Sequence, residues 1–249
     1  MKKLLLHPFF MIGLAIRLAL IVGVTPFAVT TWYVPFLDVS TTVLTLDPWS
    51  AWIVSNGDPV AFPYGYAMWL AFLPLSLAAK MTGLPLLYAY DLTLLAADFC
   101  LLLTLHRLLP NRKQLLLLVY WLSPIIILAS YGLGLNDLIP ALLLVLSIVF
   151  VRRIELKLAG ILLAAAISAK LSMVVALPFF AIYLFNNRAL RQRSPEFMSG
   201  FGFSILVLGG AFLFSEAGLQ MLLGNPEMEK IYQLAIGLVG NVSIFVTPL

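Results

Sequence analysis

The stretch LDPWSAWIVSNGDPVAFPYGY, residues 46–66, holds Asp47 and Asp58 among two Trp and three Pro, with no basic residue. A carboxylate at the edge of a helix can take the proton of a hydroxyl as that hydroxyl attacks. It can equally do no more than cap the helix. Asp47-Pro48 ahead of WSAWIVSN has the order of an N-cap followed by proline at the first helical position, and Asn56-Gly57 supplies the stop. Both readings of Asp47 stand on the sequence, and Asp38 is a rival acid close by. The remaining polar groups of interest are Asn136-Asp137, Lys80 and Lys170. The single Cys, Cys100, leaves no intrachain disulfide. His7 and His106 join no Cys/His cluster, which argues against a protein-built zinc site.

The elements that must position these residues follow from composition. The chain is 62% hydrophobic and 10% charged, with mean hydropathy +1.04. Soluble domains carry about a quarter charged residues, so this chain cannot cover a water-facing surface. An all-α, polytopic transmembrane bundle in one domain, residues 1–249, is expected. Spans are expected near 4–24, 86–106, 115–130, 138–151, 158–169, 174–185, 199–214 and 234–249. Several are shorter than the ~20 residues of a full crossing, so those around Lys170 are expected to be broken or partly embedded. The N-terminal run MKKLLLHPFFMIGLAIRLALIVG resembles a signal peptide, but Arg17 interrupts it and no small-residue cleavage site follows. It reads as an uncleaved first span. The last residues are still apolar, so continuation past Leu249 is expected. The net charge of +4 gives no reason to invoke nucleic acid.

Orientation decides the status of residues 66–80, about 15 residues with Pro74 inside. If they do not cross, Lys2, Lys3, Arg107, Arg112, Lys113, Arg152, Arg153, Lys157, Arg188, Arg191 and Arg193 all fall on one side. If they cross, the last three of those clusters move outside. Basic loops favour the cytoplasm, so the first threading is preferred. Residues 25–85 then form one long external loop with interfacial helices, and Trp49, Trp52 and Ile53 share a face suited to the interface. The N-terminus is cytoplasmic, the membrane is the plasma (inner) membrane, and the acids gather on the external or periplasmic face.

The order Asp47, Trp52, Gly57, Asp58-Pro59, then Phe62-Pro63-Tyr64-Gly65-Tyr66, resembles the first external loop of GT-C glycosyltransferases. The turn YGLGLND followed by a span, a basic turn and LAGILLAAAISAKLSMVVALP is similar to the corresponding segment of polyprenol-phosphate-mannose-dependent members. The resemblance covers roughly residues 1–190. It implies an inverting hexosyltransferase of mannose type, moving sugar from a polyprenyl-phosphate donor to a glycan, lipid or protein acceptor. It implies Asp47 as catalytic base, with Asp38 and Asp137 as rivals, and substrate contacts from Lys170, Asn136, Tyr64, Trp52 and Lys80. The leaving lipid phosphate needs a cation. Lys170 and Lys80 are therefore read either as phosphate contacts or as side chains snorkelling to the interface. No cofactor is certain, and a divalent metal between Asp47 and Asp137 stays open.

Arg17 and Asp98 lie inside spans, each about 14 Å into the membrane by helical rise, and pairing would relieve their cost. Asp91 reads as a cap. A transporter or lipid flippase is the rival function, although no internal repeat is found. A non-catalytic membrane subunit of a larger complex is the third reading.

Overall fold

The computed structural model of the chain describes residues 2–210, 214–224, 235–237 and 243–245. Helix α1 (Pro8–Gly23) starts where proline loses no helical bond, with His7 Nδ1 accepting from the Phe9 N–H at 3.3 Å. A π-helical turn, Val29–Tyr33, leads into α2 (Val34–Thr42), and α3 (Pro48–Val54) follows. Helix α4 (Tyr66–Thr82) turns back through Gly83-Leu84-Pro85 into α5 (Leu86–Leu108). The pieces Lys113–Trp121 and Pro124–Gly132 meet at a bend of 44°, where Pro124 has no N–H to continue the ladder. Helices α6 (Leu138–Arg152) and α7 (Leu156–Ala169) come next, then a 3-10 turn, Leu171–Ala176, and α8 (Leu177–Asn186). Helices α9 (Ser194–Leu208) and α10 (Glu216–Leu223) complete the helical part.

The described residues are thus helical almost throughout, as expected. Among the described residues, α5 is the helix long and apolar enough to cross a membrane, and the bent pair makes a second if taken as one span. The segments α1, α6, α7, Leu171–Asn186 and α9 are apolar but shorter. Near 234–249 the described residues differ from the expected helix. Ala235–Gly237 and Ser243–Phe245 pair as antiparallel strands, with Ile236 opposite Ile244, and β-branched residues favour that geometry. The rest of that segment lies outside the described residues.

Residues 29–72 are not draped over a surface but supply most of the rings of an aromatic core that they share with Tyr90 of α5. Phe36 stacks on Phe62 with centroids 4.3 Å apart, and Phe72 stacks on Tyr90 at 4.6 Å. Trp49 and Trp52, expected to face an interface, are buried here instead. Their indole N–H groups find carbonyls inside, Trp49 at Phe62 (3.2 Å) and Trp52 at Asp58 (2.8 Å). An indole with a large apolar body can be buried in this way because its N–H finds a partner there.

Helix α7 packs against both α6 and α9. Glycines set the closeness: a Cβ on Gly160 would lie 2.3 Å from the Phe197 carbonyl oxygen, and one on Gly200 2.2 Å from that of Lys157. Small residues at such crossings let two backbones touch.

A fully buried ion pair ties α1 into the molecule. Arg17 Nε meets Asp98 Oδ2 at 2.7 Å, joining α1 to α5. Arg17 Nη1 donates to the Gly13 carbonyl (3.0 Å) and the Trp121 carbonyl (2.7 Å), and the guanidinium lies 3.8 Å over the Trp121 ring. Asp98 also accepts from the Tyr120 hydroxyl (2.6 Å) and the Tyr131 hydroxyl (3.0 Å). The bent pair is thereby held to both helices. Removing one partner of such a pair leaves a buried charge and costs roughly 3–5 kcal/mol. Arg17→Leu should therefore sharply lower the thermal midpoint, and adding Asp98→Leu should restore much of it. A double variant less stable than either single one would contradict this.

Candidate functional site

The chain leaves the helix at Lys170, where φ −152° and ψ 118° are extended and the backbone N–H still donates to Ala166. Its ammonium forms an ion pair with Asp137 Oδ1 at the start of α6. The two side chains are 32% and 47% exposed, so the pair is open to a ligand. Beside it, Asn136 is buried; its Nδ2 makes no full hydrogen bond among the described residues, although its side chain lies close enough to the Tyr64 hydroxyl to act on it.

Tyr64 and Tyr33 adjoin this cluster. Their hydroxyls are 3.3 Å apart, Tyr33 stacks on Tyr90 at 5.6 Å, and the Tyr90 hydroxyl donates to the Gly134 carbonyl at 2.7 Å. Burial pushes the Tyr64 hydroxyl well above the usual phenol range; Tyr33 raises it further, Asn136 pulls it down, and the charge of Asp137 adds to the rise. Burial raises Tyr33 too, against the hydrogen bond from Tyr64 and with help from Asp137. Both phenols therefore stay protonated at neutral pH and remain able to donate.

Tyr64 is there because its loop is pinned to the end of α7. The Gly65 N–H donates to the Ser168 carbonyl at 2.8 Å, and a Cβ at Gly65 would stand 2.5 Å from Ser168 Oγ. Only glycine fits that approach. Ser168 Oγ donates in turn to the Leu208 carbonyl of α9 at 2.6 Å and accepts from the Ala67 N–H at 3.3 Å. Four residues expected at a site, Asn136, Asp137, Lys170 and Tyr64, are thus brought together.

The other acids stand apart, with no hydrogen bond or ion pair to this cluster among the described residues. Asp47 caps α3: Oδ1 accepts from the Ser50 N–H (3.1 Å) and Oδ2 from the Ser50 hydroxyl (2.6 Å). Oδ1 also accepts from Ser215 Oγ at 2.8 Å, and Ser215 caps α10 by accepting from the Gly218 N–H at 2.9 Å. One carboxylate therefore joins two helix starts. Nearby, the Tyr66 hydroxyl donates to the Leu46 carbonyl and is raised by burial and by the charge of Asp47. Asp38 is exposed and paired with Lys80 at 3.0 Å; Lys80 also donates to the Asp38 carbonyl (2.7 Å) and the Thr42 hydroxyl. A cation there answers the carbonyls that end α2. Trp52 faces the core and does not reach Lys170. Among the described residues, no three of His, Cys, Asp and Glu come together as a metal site.

Tyr33, Ser168 and Ser215 carry no motif. Ser168 alone had a signal, a hydroxyl in the small-residue run ILLAAAISAK just before Lys170.

If Asp47 is a double cap, Asp47→Ala should destabilise the protein by about 1 kcal/mol or more, while Asp47→Asn should stay close to wild type. Denaturant titration measures both; an Asp47→Ala protein as stable as wild type would contradict the capping role. No family model, no curated protein and no solved structure matches the chain.

Proposed function

We propose that the chain is a membrane-embedded glycosyltransferase of inverting type. It moves a sugar, mannose in the first instance, from a polyprenyl-phosphate donor to an acceptor hydroxyl at the external face of the plasma membrane, with its N-terminus cytoplasmic. The observation that carries this reading is the half-exposed Asp137–Lys170 pair, flanked by Tyr64 and Asn136, at a break between apolar helices. A cation for a leaving phosphate and a carboxylate for a proton stand side by side there.

The chemistry is one displacement. The acceptor oxygen bonds to the anomeric carbon while the carbon–oxygen bond to phosphate breaks, its electron pair leaving on the phosphate. Lys170 stabilises that charge. The acceptor's proton passes to Asp137. Tyr64 and Asn136 can offer donors to sugar hydroxyls. The ranking of acids thus moves from Asp47, whose oxygens are engaged in capping, to Asp137.

The composition and the surface support the membrane setting. Phe179, Ile182 and Phe185 of α8 and Phe203 and Leu206 of α9 are exposed, apolar surface that lipid would cover. A crevice of about 440 Å³ lined by Ala67, Ala71, Thr93, Ala97, Cys100 and Leu142 runs beside the start of α4, just past Tyr64. Its apolar walls suit an isoprenoid chain.

Purified protein given radiolabelled polyprenyl-phosphate mannose and a panel of glycan and lipid acceptors should yield labelled product. Asp137→Asn should lower transfer about 10²–10⁴-fold, whereas Asp47→Asn should leave it nearly unchanged. No transfer to any acceptor by folded protein would reject the enzyme in favour of a transporter or a non-catalytic subunit.

A further inference from the structure

We propose that Asp137 is a tethered stand-in for the ligand's anion: the Asp137–Lys170 pair is a latch that a phosphate headgroup opens. Lys170 moves from the carboxylate onto the phosphate, and Asp137 is left with free lone pairs only once the ligand is bound. The identity of the headgroup, a polyprenyl phosphate, rests on the proposed function; the exchange itself needs no transfer step.

Three observations point to exchange. The pair is half-exposed, and ion pairs in such settings hold weakly, whereas an ammonium gains more from the stronger charge-assisted bonds of a phosphate. Asp137 is the sole hydrogen-bond acceptor of the Lys170 ammonium among the described residues. Lys80 shows the contrast, since it is tied to the Asp38 carboxylate, the Asp38 carbonyl and the Thr42 hydroxyl together. Lastly, the buried Nδ2 of Asn136, next in sequence to Asp137, makes no full hydrogen bond and acts only on the Tyr64 hydroxyl, so a ligand oxygen that reached it would be a better acceptor.

The stem of Lys170 stays put during such an exchange. Ser168, two residues earlier, is fixed to Gly65 and to Leu208, so only the flexible four-carbon side chain must re-aim.

The test is equilibrium binding of polyprenyl phosphate, without sugar, to the protein in lipid nanodiscs. Lys170→Gln should weaken binding by about tenfold or more. Asp137→Asn should tighten it by roughly 3- to 5-fold, because the competing anion is gone. That gain should vanish in the Lys170→Gln background and persist in Lys170→Arg, which keeps the cation. The same gain in Lys170→Gln would mean plain charge repulsion and would overturn the latch, as would unchanged affinity in Asp137→Asn. Inorganic phosphate should bind far more weakly than the lipid; equal affinity would overturn the lipid assignment. Coupled binding without any sugar transfer would keep the latch and reject the transferase, while transfer without coupling would reject the latch alone.

Discussion

The C-terminal end of α7 is the constraint on which the site depends. Ser168 holds the Gly65 loop through its carbonyl and α9 through its hydroxyl, and Lys170 then reaches α6 at Asp137. Three chain segments far apart in sequence meet within three residues of one helix end. The helix can serve as such an anchor because its register cannot slide: Gly160 and Gly200 lock α7 to α9 at backbone contact. A rotation of one residue would turn Ser168 by about 100° and release Tyr64 from the cluster.

Two ion pairs in the same molecule differ in their setting, and exposure separates them. Arg17–Asp98 is fully buried, and its carboxylate is further satisfied by Tyr120 and Tyr131. Such a pair is costly to break and has nothing to exchange with, so it fixes where α1, α5 and the bent segment sit. Asp137–Lys170 is open and held by one contact. A group that must meet a ligand has to be only loosely committed beforehand. Asp47 falls on the structural side of this divide, since its hydrogen bonds join α3 to α10.

Much of this was legible in the residues. Equal helical depth foretold the Arg17–Asp98 pair, Asp47-Pro48 foretold a cap, and a lysine ending a small-residue run foretold the break at Lys170. Other features were hidden for physical reasons. The apolar face of Trp49, Trp52 and Ile53 reads the same whether it meets lipid or Phe36, so its inward packing had no local signature. The bond from Ser215 to Asp47 spans 168 positions and is made by tertiary packing alone. Tyr33 meets Tyr64 across 31 positions, a contact made by tertiary packing. Near residue 236 the apolar content indicated a span, while the β-branched residues on both sides of Gly237 favoured strand pairing.

The proposed function places a lipid phosphate head at Lys170 and its isoprenoid chain in the crevice between α4, α5 and α6. A polyprenyl phosphate carrying a photoactivatable diazirine in its proximal isoprene units would map that chain directly. Crosslinked peptides identified by mass spectrometry should come from residues 67–71 and 93–100, and excess unlabelled polyprenyl phosphate should abolish them. Labelling confined to the outward apolar faces of α8 and α9, or insensitive to competition, would contradict the account.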